Sequence, residues 1–304
     1  MFFTLALAAI GVTSSIATRL DLASLPNIVL LVVGGVILDV LSQLAPRSRI
    51  TEAVQAALYG VMYVVITCIW GILAAYALQR FAFPLRDQLL AGWDRALGFD
   101  WLSYAHWVDR HAVVQAIFHT AYDTIFPQMA LPLLVFAAAN RPDEMRAYLL
   151  AFAIAFSCTI VVSALMPAAG PIIFADRSTF NLLKFTGATP LDHLMRLRAA
   201  GPLVLDETPG GIATFPSFHA TIAVLTPLTL RRFPLIFGCL LILDAAMLGG
   251  TLTEGAHYLS DVLAGSAMAF FAYAAARRVI RLEDRALLRR RSRAVLQGEA
   301  VAAA

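Results

Sequence analysis

The chain alternates long apolar runs with short polar or basic clusters. Between Glu52 and Arg80, and again between Arg146 and Asp176, there is no Asp, Glu, Lys or Arg. Each gap exceeds the roughly 20 residues that a helix needs to cross the hydrocarbon of a bilayer. The same reading along the chain predicts about eight spans, near 2–18, 23–44, 54–79, 113–139, 146–167, 216–231, 234–253 and 257–276. Lipid offers the backbone no hydrogen-bond partner, so runs of this length are expected to be helices. The expected fold class is all-α, a polytopic transmembrane bundle. The first run has the alternative of being a signal peptide, but no Lys or Arg precedes it, which favours a retained helix.

The segment 80–112 breaks this pattern. Phe83, Leu85, Leu89, Leu90, Trp93, Leu97 and Trp101 interleave with Arg86, Asp87, Asp94 and Arg95, the spacing of an amphipathic helix. Such a helix lies at the membrane interface, with Trp93, Trp101, Tyr104 and Trp107 at headgroup depth, or packs as a surface helix on the bundle.

Composition agrees with lipid as the solvent: 60% of the residues are hydrophobic and 14% charged, where a soluble domain keeps about a quarter charged. Cys68, Cys158 and Cys239 each stand alone in an apolar run, with no Cys-x-x-Cys pair for a thiolate metal site or a redox couple, and read as packing residues. Arg47/Arg49, Arg141/Arg146, Arg231/Arg232 and the eight basic residues of 277–293 fall on one side of the predicted bundle, fourteen of the 23 in all. Short basic loops stay in the cytoplasm, so both termini are expected there. The basic tail beside a span fixes orientation and is not expected to bind nucleic acid.

Two stretches carry the candidate chemistry. Thr214–Ala220 reads Thr-Phe-Pro-Ser-Phe-His-Ala and Gly255–Val262 reads Gly-Ala-His-Tyr-Leu-Ser-Asp-Val. On this topology both open a span from the non-cytoplasmic side. His257 and Asp261 are spaced i, i+4 and share a helix face. Ser217 resembles a helix N-cap, which would aim the amides of Phe218, His219 and Ala220 at an anion. Two imidazoles, a carboxylate and an anion cradle suit phosphoryl transfer. Two histidines and an aspartate also spell a facial metal triad, but no third ligand is local and the cradle would go unused, so no metal or cofactor is expected. A transporter is the alternative from another class: Asp39, Asp244, His119 and Asp123 lie inside predicted spans, although no internal repeat is visible.

Pro-Ser-Phe-His at 216–219, followed by His-Tyr-x-x-Asp-Val-x-Ala-Gly at 257–265, resembles the type 2 phosphatidic acid phosphatase superfamily. Within it, the chain looks closest to the branch containing inositol phosphorylceramide synthase and its bacterial relatives. The resemblance covers the six spans from 54 to 276. It divides the chain into additional N-terminal helices (1–50), a catalytic core (51–278) and a basic cytoplasmic tail (279–304). It implies that His257 is the nucleophile, Asp261 its orienting group and His219 the general acid, with a phosphohistidine intermediate. It also implies a membrane lipid as substrate, a lipid or water as acceptor, and a bacterial inner membrane with the site on its periplasmic face.

The sequence departs from the hydrolases of that superfamily. Their Lys-x6-Arg-Pro motif is absent, and Thr251 stands where they carry an Arg six residues before the nucleophile. Those cations neutralise a phosphomonoester dianion, so their loss points to a diester and to transfer of a phospho-headgroup between lipids, with lipid phosphate hydrolysis as the alternative. Arg177, Lys184, Arg196 and Arg198 are candidates for the remaining neutralisation. Arg198, in Leu-Arg-Ala-Ala-Gly, resembles a loop Leu-Arg of the bacterial relatives and is the choice. Ser217, Phe218 and Tyr258 complete the expected substrate contacts, Pro171 reads as a helix stop, and Tyr122 with His119 and Asp123 is a candidate cavity lining or a set of interhelical bonds.

Overall fold

The computed structural model describes residues 46–175 and 214–302, with side chains to 286, together with positions 40, 43, 44, 194, 195 and 198. The spans expected near 2–18 and 23–44 lie essentially outside the described residues. All regular structure among the described residues is helical: α1 (Arg49–Gln79), α2 (Asp87–Ala96), α3 (Trp101–Asp109), α4 (Ala112–Tyr122), α5 (Ile125–Ala138), α6 (Pro142–Leu165), α7 (Phe218–Leu230), α8 (Pro234–Glu254) and α9 (Leu259–Ala302). Helix α1 opens on a reciprocal cap. Ser48 Oγ accepts the Thr51 amide at 3.2 Å and Thr51 Oγ1 accepts the Ser48 amide at 2.8 Å, which satisfies donors that the first turn leaves free. Pro142 opens α6 and Pro234 opens α8, positions where the missing N–H costs nothing.

Four helices are long and apolar enough to cross a membrane: α1, α6, α8 and the Leu259–Ala286 part of α9. The pair α4 and α5 passes the same test only when taken together, and it is bent by 49°. Its sequence reads as one run, 113–139, and the structure corrects that. Pro127 lacks the amide that would bond to the Asp123 carbonyl, and its ring would strike that carbonyl in a continuous helix. The chain therefore ends α4 at Tyr122 and restarts at Ile125, with Thr124 Oγ1 turned back to the Ala121 carbonyl at 2.6 Å. The chain thus forms an integral membrane helical bundle. Its outward face carries Tyr59, Leu134, Val161, Ile242, Leu263 and Phe270, all exposed, as lipid-facing side chains are.

Helix α7 is the axis of the bundle, packed against α5, α6, α8 and α9. Its Ile222 and Leu225 share a core with Leu133, Phe136, Tyr148, Phe152 and Met247. Where α7 crosses α9 the backbones touch: Thr221 Oγ1 donates to the Gly265 carbonyl at 2.9 Å, and a Cβ at Gly265 would stand 2.1 Å from the Ser217 carbonyl oxygen. At the opposite end the arginine clusters gather. Arg232 meets Glu144 at 2.9 Å, Arg231 donates to Tyr273 Oη at 2.6 Å, and Arg146 pairs with Glu283.

The 80–112 segment folds as two short helices packed on the bundle, with its polarity partly inverted from the simple interfacial pattern. Asp87, Leu90 and Asp94 face inward and are buried, while Leu89, Trp93 and Leu97 are exposed. Trp101 is buried within the protein, and its Nε1 donates to the Leu252 carbonyl at 2.7 Å.

Gly265→Ala should force α7 and α9 apart, costing about 1–3 kcal/mol as overpacking does. Gly238→Ala, with nothing within 4 Å of the new Cβ, should be neutral or slightly stabilising. Thermal unfolding of both variants in detergent reads the difference, and equal melting temperatures would show that the crossing is not under steric constraint.

Candidate active site

The site is built where α7 and α9 begin. Ser217 caps α7: its Oγ accepts the Ala220 amide at 3.4 Å. That corrects one expectation, because the Ala220 amide is committed to the cap and the cradle reduces to the amides of Phe218 and His219. As the first two helical residues, these have no acceptor within the helix, and the positive end of the helix dipole adds to their pull on an anion.

The α9 motif is tied to this cap directly. The Ser217 amide donates to the Asp261 carbonyl at 3.0 Å, so the two stretches, remote in sequence, are locked at one depth. Asp261 is fully buried, and its Oδ2 takes both His257 Nδ1 at 3.0 Å and the Tyr258 amide at 3.0 Å. With the carboxylate ionised, this bond places the imidazole proton on Nδ1 and leaves Nε2 bare. Nε2 lies 3.4 Å from Ser217 Oγ, beside the α7 N-terminus. An unprotonated ring nitrogen therefore stands next to backbone amides that have no acceptor within their helix. His219, two residues beyond the cap, stacks on Tyr122 with ring centroids 3.8 Å apart and 11° between planes.

Two carboxylates that sequence reasoning assigned to a polar face hold this arrangement. Asp94 caps α9 from outside: Oδ2 accepts the Leu259 amide at 2.8 Å and Oδ1 the Ser260 amide at 2.9 Å. Asp87 Oδ1 accepts the Ala169 and Gly170 amides, both at 2.9 Å, and the Tyr258 hydroxyl at 3.0 Å. Spaced i, i+7, the two acids lie on one face of α2 and clamp both turns that flank the site. Burial pushes the Asp87 carboxyl above its ordinary value, and the bonds from Tyr258, Ala169 and Gly170 pull it partly back. Burial, and then the neighbouring Asp87, push the Tyr258 hydroxyl up, so it stays protonated as the donor of this pair. The i, i+7 spacing with Leu90 between was the available signal.

The remaining candidates are placed as follows. The Phe218 ring packs on Phe156 and Phe152, at 4.8 and 5.9 Å, so only its amide faces the cradle. The Tyr258 ring is buried with its hydroxyl on Asp87. Arg198 Nη2 donates to the carbonyls of Phe83 and Ala82 at 2.6 and 3.2 Å, while Nη1 is buried without a partner among the described residues. Thr251 is buried and its hydroxyl bonds to the Met247 carbonyl at 2.7 Å. Pro171 opens a short 3-10 turn, Pro171–Phe174, and Asp244 is buried in α8. Asp39, Arg177, Lys184 and Arg196 lie outside the described residues. Among the described residues, no group of three or more His, Cys, Asp or Glu side chains is placed to hold a metal ion.

The family model described as PAP2 superfamily matches residues 88–275, well over half of the chain and including Ser217, His219, His257 and Asp261. The chain belongs to the PAP2 superfamily, and membership supports phosphatase or phosphotransferase chemistry in general. None of the curated proteins and none of the solved structures compared with the chain matches it.

Removing the clamp should damage catalysis through His257. Asp94→Ala leaves the Leu259 and Ser260 amides without acceptors, at roughly 1–3 kcal/mol for each buried unsatisfied group, whereas Asp94→Asn keeps one acceptor oxygen. Melting temperature and turnover should both rank wild type, Asn, Ala. Unchanged values for the alanine variant would remove α2 from the site.

Proposed function

We propose that this PAP2 superfamily protein transfers a phospho-headgroup between membrane lipids through a phosphohistidine at His257, on the periplasmic face of a bacterial inner membrane with both termini in the cytoplasm. The observation that carries the chemistry is the 3.0 Å contact of His257 Nδ1 with buried Asp261, which leaves Nε2 unprotonated beside the α7 N-terminus, 3.4 Å from Ser217 Oγ. Nε2 attacks phosphorus and Asp261 stabilises the imidazolium that forms. His219 protonates the departing lipid alkoxide, then takes the proton from the incoming hydroxyl. No metal enters these steps.

The charge count favours a diester. Thr251 stands where the hydrolases carry Arg, and its hydroxyl is spent on the Met247 carbonyl. A monoester dianion would meet too few cations in a poorly hydrated site, where unpaired charge is costly. A monoanionic diester is served by the amides of Phe218 and His219 and by one guanidinium, for which Arg198, whose Nη1 has no partner among the described residues, is the candidate. Hydrolysis of a phosphatidic-acid-type monoester is the second reading, kept open by the superfamily itself.

Purified protein should turn over a phosphodiester lipid faster than phosphatidic acid, and a hydroxyl lipid acceptor should divert product into a new lipid. Phosphatidic acid as the better substrate, with no acceptor competing against water, would make the protein a lipid phosphatase. His257→Ala should abolish turnover, and His219→Ala should cost about 10²–10⁴-fold, the range of a lost acid–base group. The pH profile should be bell-shaped, because one histidine must be neutral and the other protonated for the reaction to begin. Folded variants with near-wild-type rates would overturn these roles. Activity should survive excess chelator and be blocked by vanadate, which mimics five-coordinate phosphorus; rescue of chelated enzyme by one divalent ion would restore the metal reading.

Sidedness is checked separately. With the native cysteines removed, Gly210→Cys should react with a membrane-impermeant thiol reagent in intact cells and Ser292→Cys should not. The reverse pattern would put the site in the cytoplasm.

A further inference from the structure

The break between α4 and α5 sets one aromatic ring at the end of a helix, against the candidate active site. Tyr122 is the last residue of α4, and its ring lies on His219 with centroids 3.8 Å apart and 11° between planes. A contact so nearly parallel covers one face of the imidazole. Helix α4 is itself held along α8. Phe118, one turn before Tyr122, presses on Gly249 and Gly250, where a Cβ would stand 2.6 Å from its ring and 2.7 Å from its carbonyl oxygen. Beside it, His119 Nδ1 is 2.9 Å from Oε2 of Glu254, the last residue of α8. Tyr122 therefore closes a helix that α8 holds in place, and is not carried on a free loop.

An imidazole gives or takes a proton at its two ring nitrogens, and its N–H and lone pair both lie in the ring plane. His219 is the second residue of α7, just after the cap whose Oγ lies 3.4 Å from His257 Nε2. Turning its ring about the Cβ–Cγ bond would swing both nitrogens away from an oxygen on phosphorus. That terminal torsion is broad when nothing restrains it, whereas proton transfer asks for a geometry held to about 10–20°. A flat ring fixed against the imidazole supplies the restraint. The contact is ring on ring, so the Tyr122 hydroxyl is not needed for it.

We infer that Tyr122 is a positioning residue that fixes the ring plane of His219 for proton transfer to the departing oxygen, which rests on the acid–base role proposed above for His219. In that step His257 Nε2 gives its lone pair to phosphorus, the bond from phosphorus to the leaving oxygen breaks, and this oxygen keeps the electron pair and takes the His219 proton. An alkoxide needs that proton, whereas p-nitrophenolate, a far weaker base, leaves without it. Donors are therefore paired by leaving group. Phosphatidylglycerol and phosphatidic acid release diacylglycerol; octyl p-nitrophenyl phosphate and p-nitrophenyl phosphate release p-nitrophenolate. First-turnover rates are read with enzyme in excess, both donors of a pair on one preparation, so partial loss of folded protein cancels. Tyr122→Leu should lose at least about tenfold on the lipid donor and less than about threefold on its nitrophenyl partner, a smaller version of the selective loss expected of His219→Ala. Tyr122→Phe should match wild type on both. Equal losses on the two donors in Tyr122→Leu, no loss on the lipid donor, or a phenylalanine variant that behaves like leucine would each overturn the positioning role. Equal losses in His219→Ala would instead show that the acid–base role of His219 fails, and the positioning role with it. Wild type that turns over only the two monoesters would overturn the diester reading and leave the Tyr122 comparison intact.

Discussion

The site depends on a backbone contact between α7 and α9. The Ser217 amide bonds to the Asp261 carbonyl at 3.0 Å, and Gly265 lets the two helices approach until a Cβ would lie 2.1 Å from the Ser217 carbonyl. That approach sets the first turn of α7, with its unsatisfied amides, beside the first turn of α9, which carries His257. Separating the helices by the width of a methyl group would draw His257, the proposed nucleophile, away from the α7 N-terminus without altering the side chains proposed to be catalytic. The final Gly of the His-Tyr-x-x-Asp-Val-x-Ala-Gly stretch is thus a packing requirement of the chemistry.

Buried carboxylates are costly in a protein surrounded by lipid, and here the cost is offset by backbone donors. Asp94 takes two amides at the start of α9, and Asp87 takes two amides and a phenol. Asp261 does the same nearer the reaction, dividing one oxygen between the Tyr258 amide and His257. Each acid therefore stiffens a turn. Fixed turns matter because the nucleophile must meet phosphorus along one line, and a misplacement of about 1 Å costs roughly 10²-fold.

The apolar runs made the core legible: each of the six runs from 54 onward has a helix or a helix pair in the structure, although the helix at 216–231, Phe218–Leu230, is shorter than a membrane span. His257 and Asp261 were legible as an i, i+4 pair, and Ser217 as a cap. What failed did so for identifiable reasons. Hydropathy saw only apolar character through 113–139 and missed that Pro127 denies Asp123 its helical bond, although the proline was in plain view. Charge alone does not say whether an acid faces water or a backbone amide, so Asp87 and Asp94 were put on a polar face. The Leu252 carbonyl of α8 takes the Trp101 indole N–H, a partner remote in sequence that no local pattern reveals. No local pattern reports the stacking of Tyr122 on His219, which joins elements far apart in sequence.

A covalent phosphohistidine at His257 is the central claim. Purified protein mixed with a phosphodiester lipid labelled at phosphorus, quenched in alkali within a turnover and mapped by mass spectrometry, tests it directly. The account predicts an acid-labile adduct on His257 that carries phosphorus with its headgroup and is absent from His257→Ala. Active wild-type enzyme with no adduct, or with the label on another residue, would contradict it.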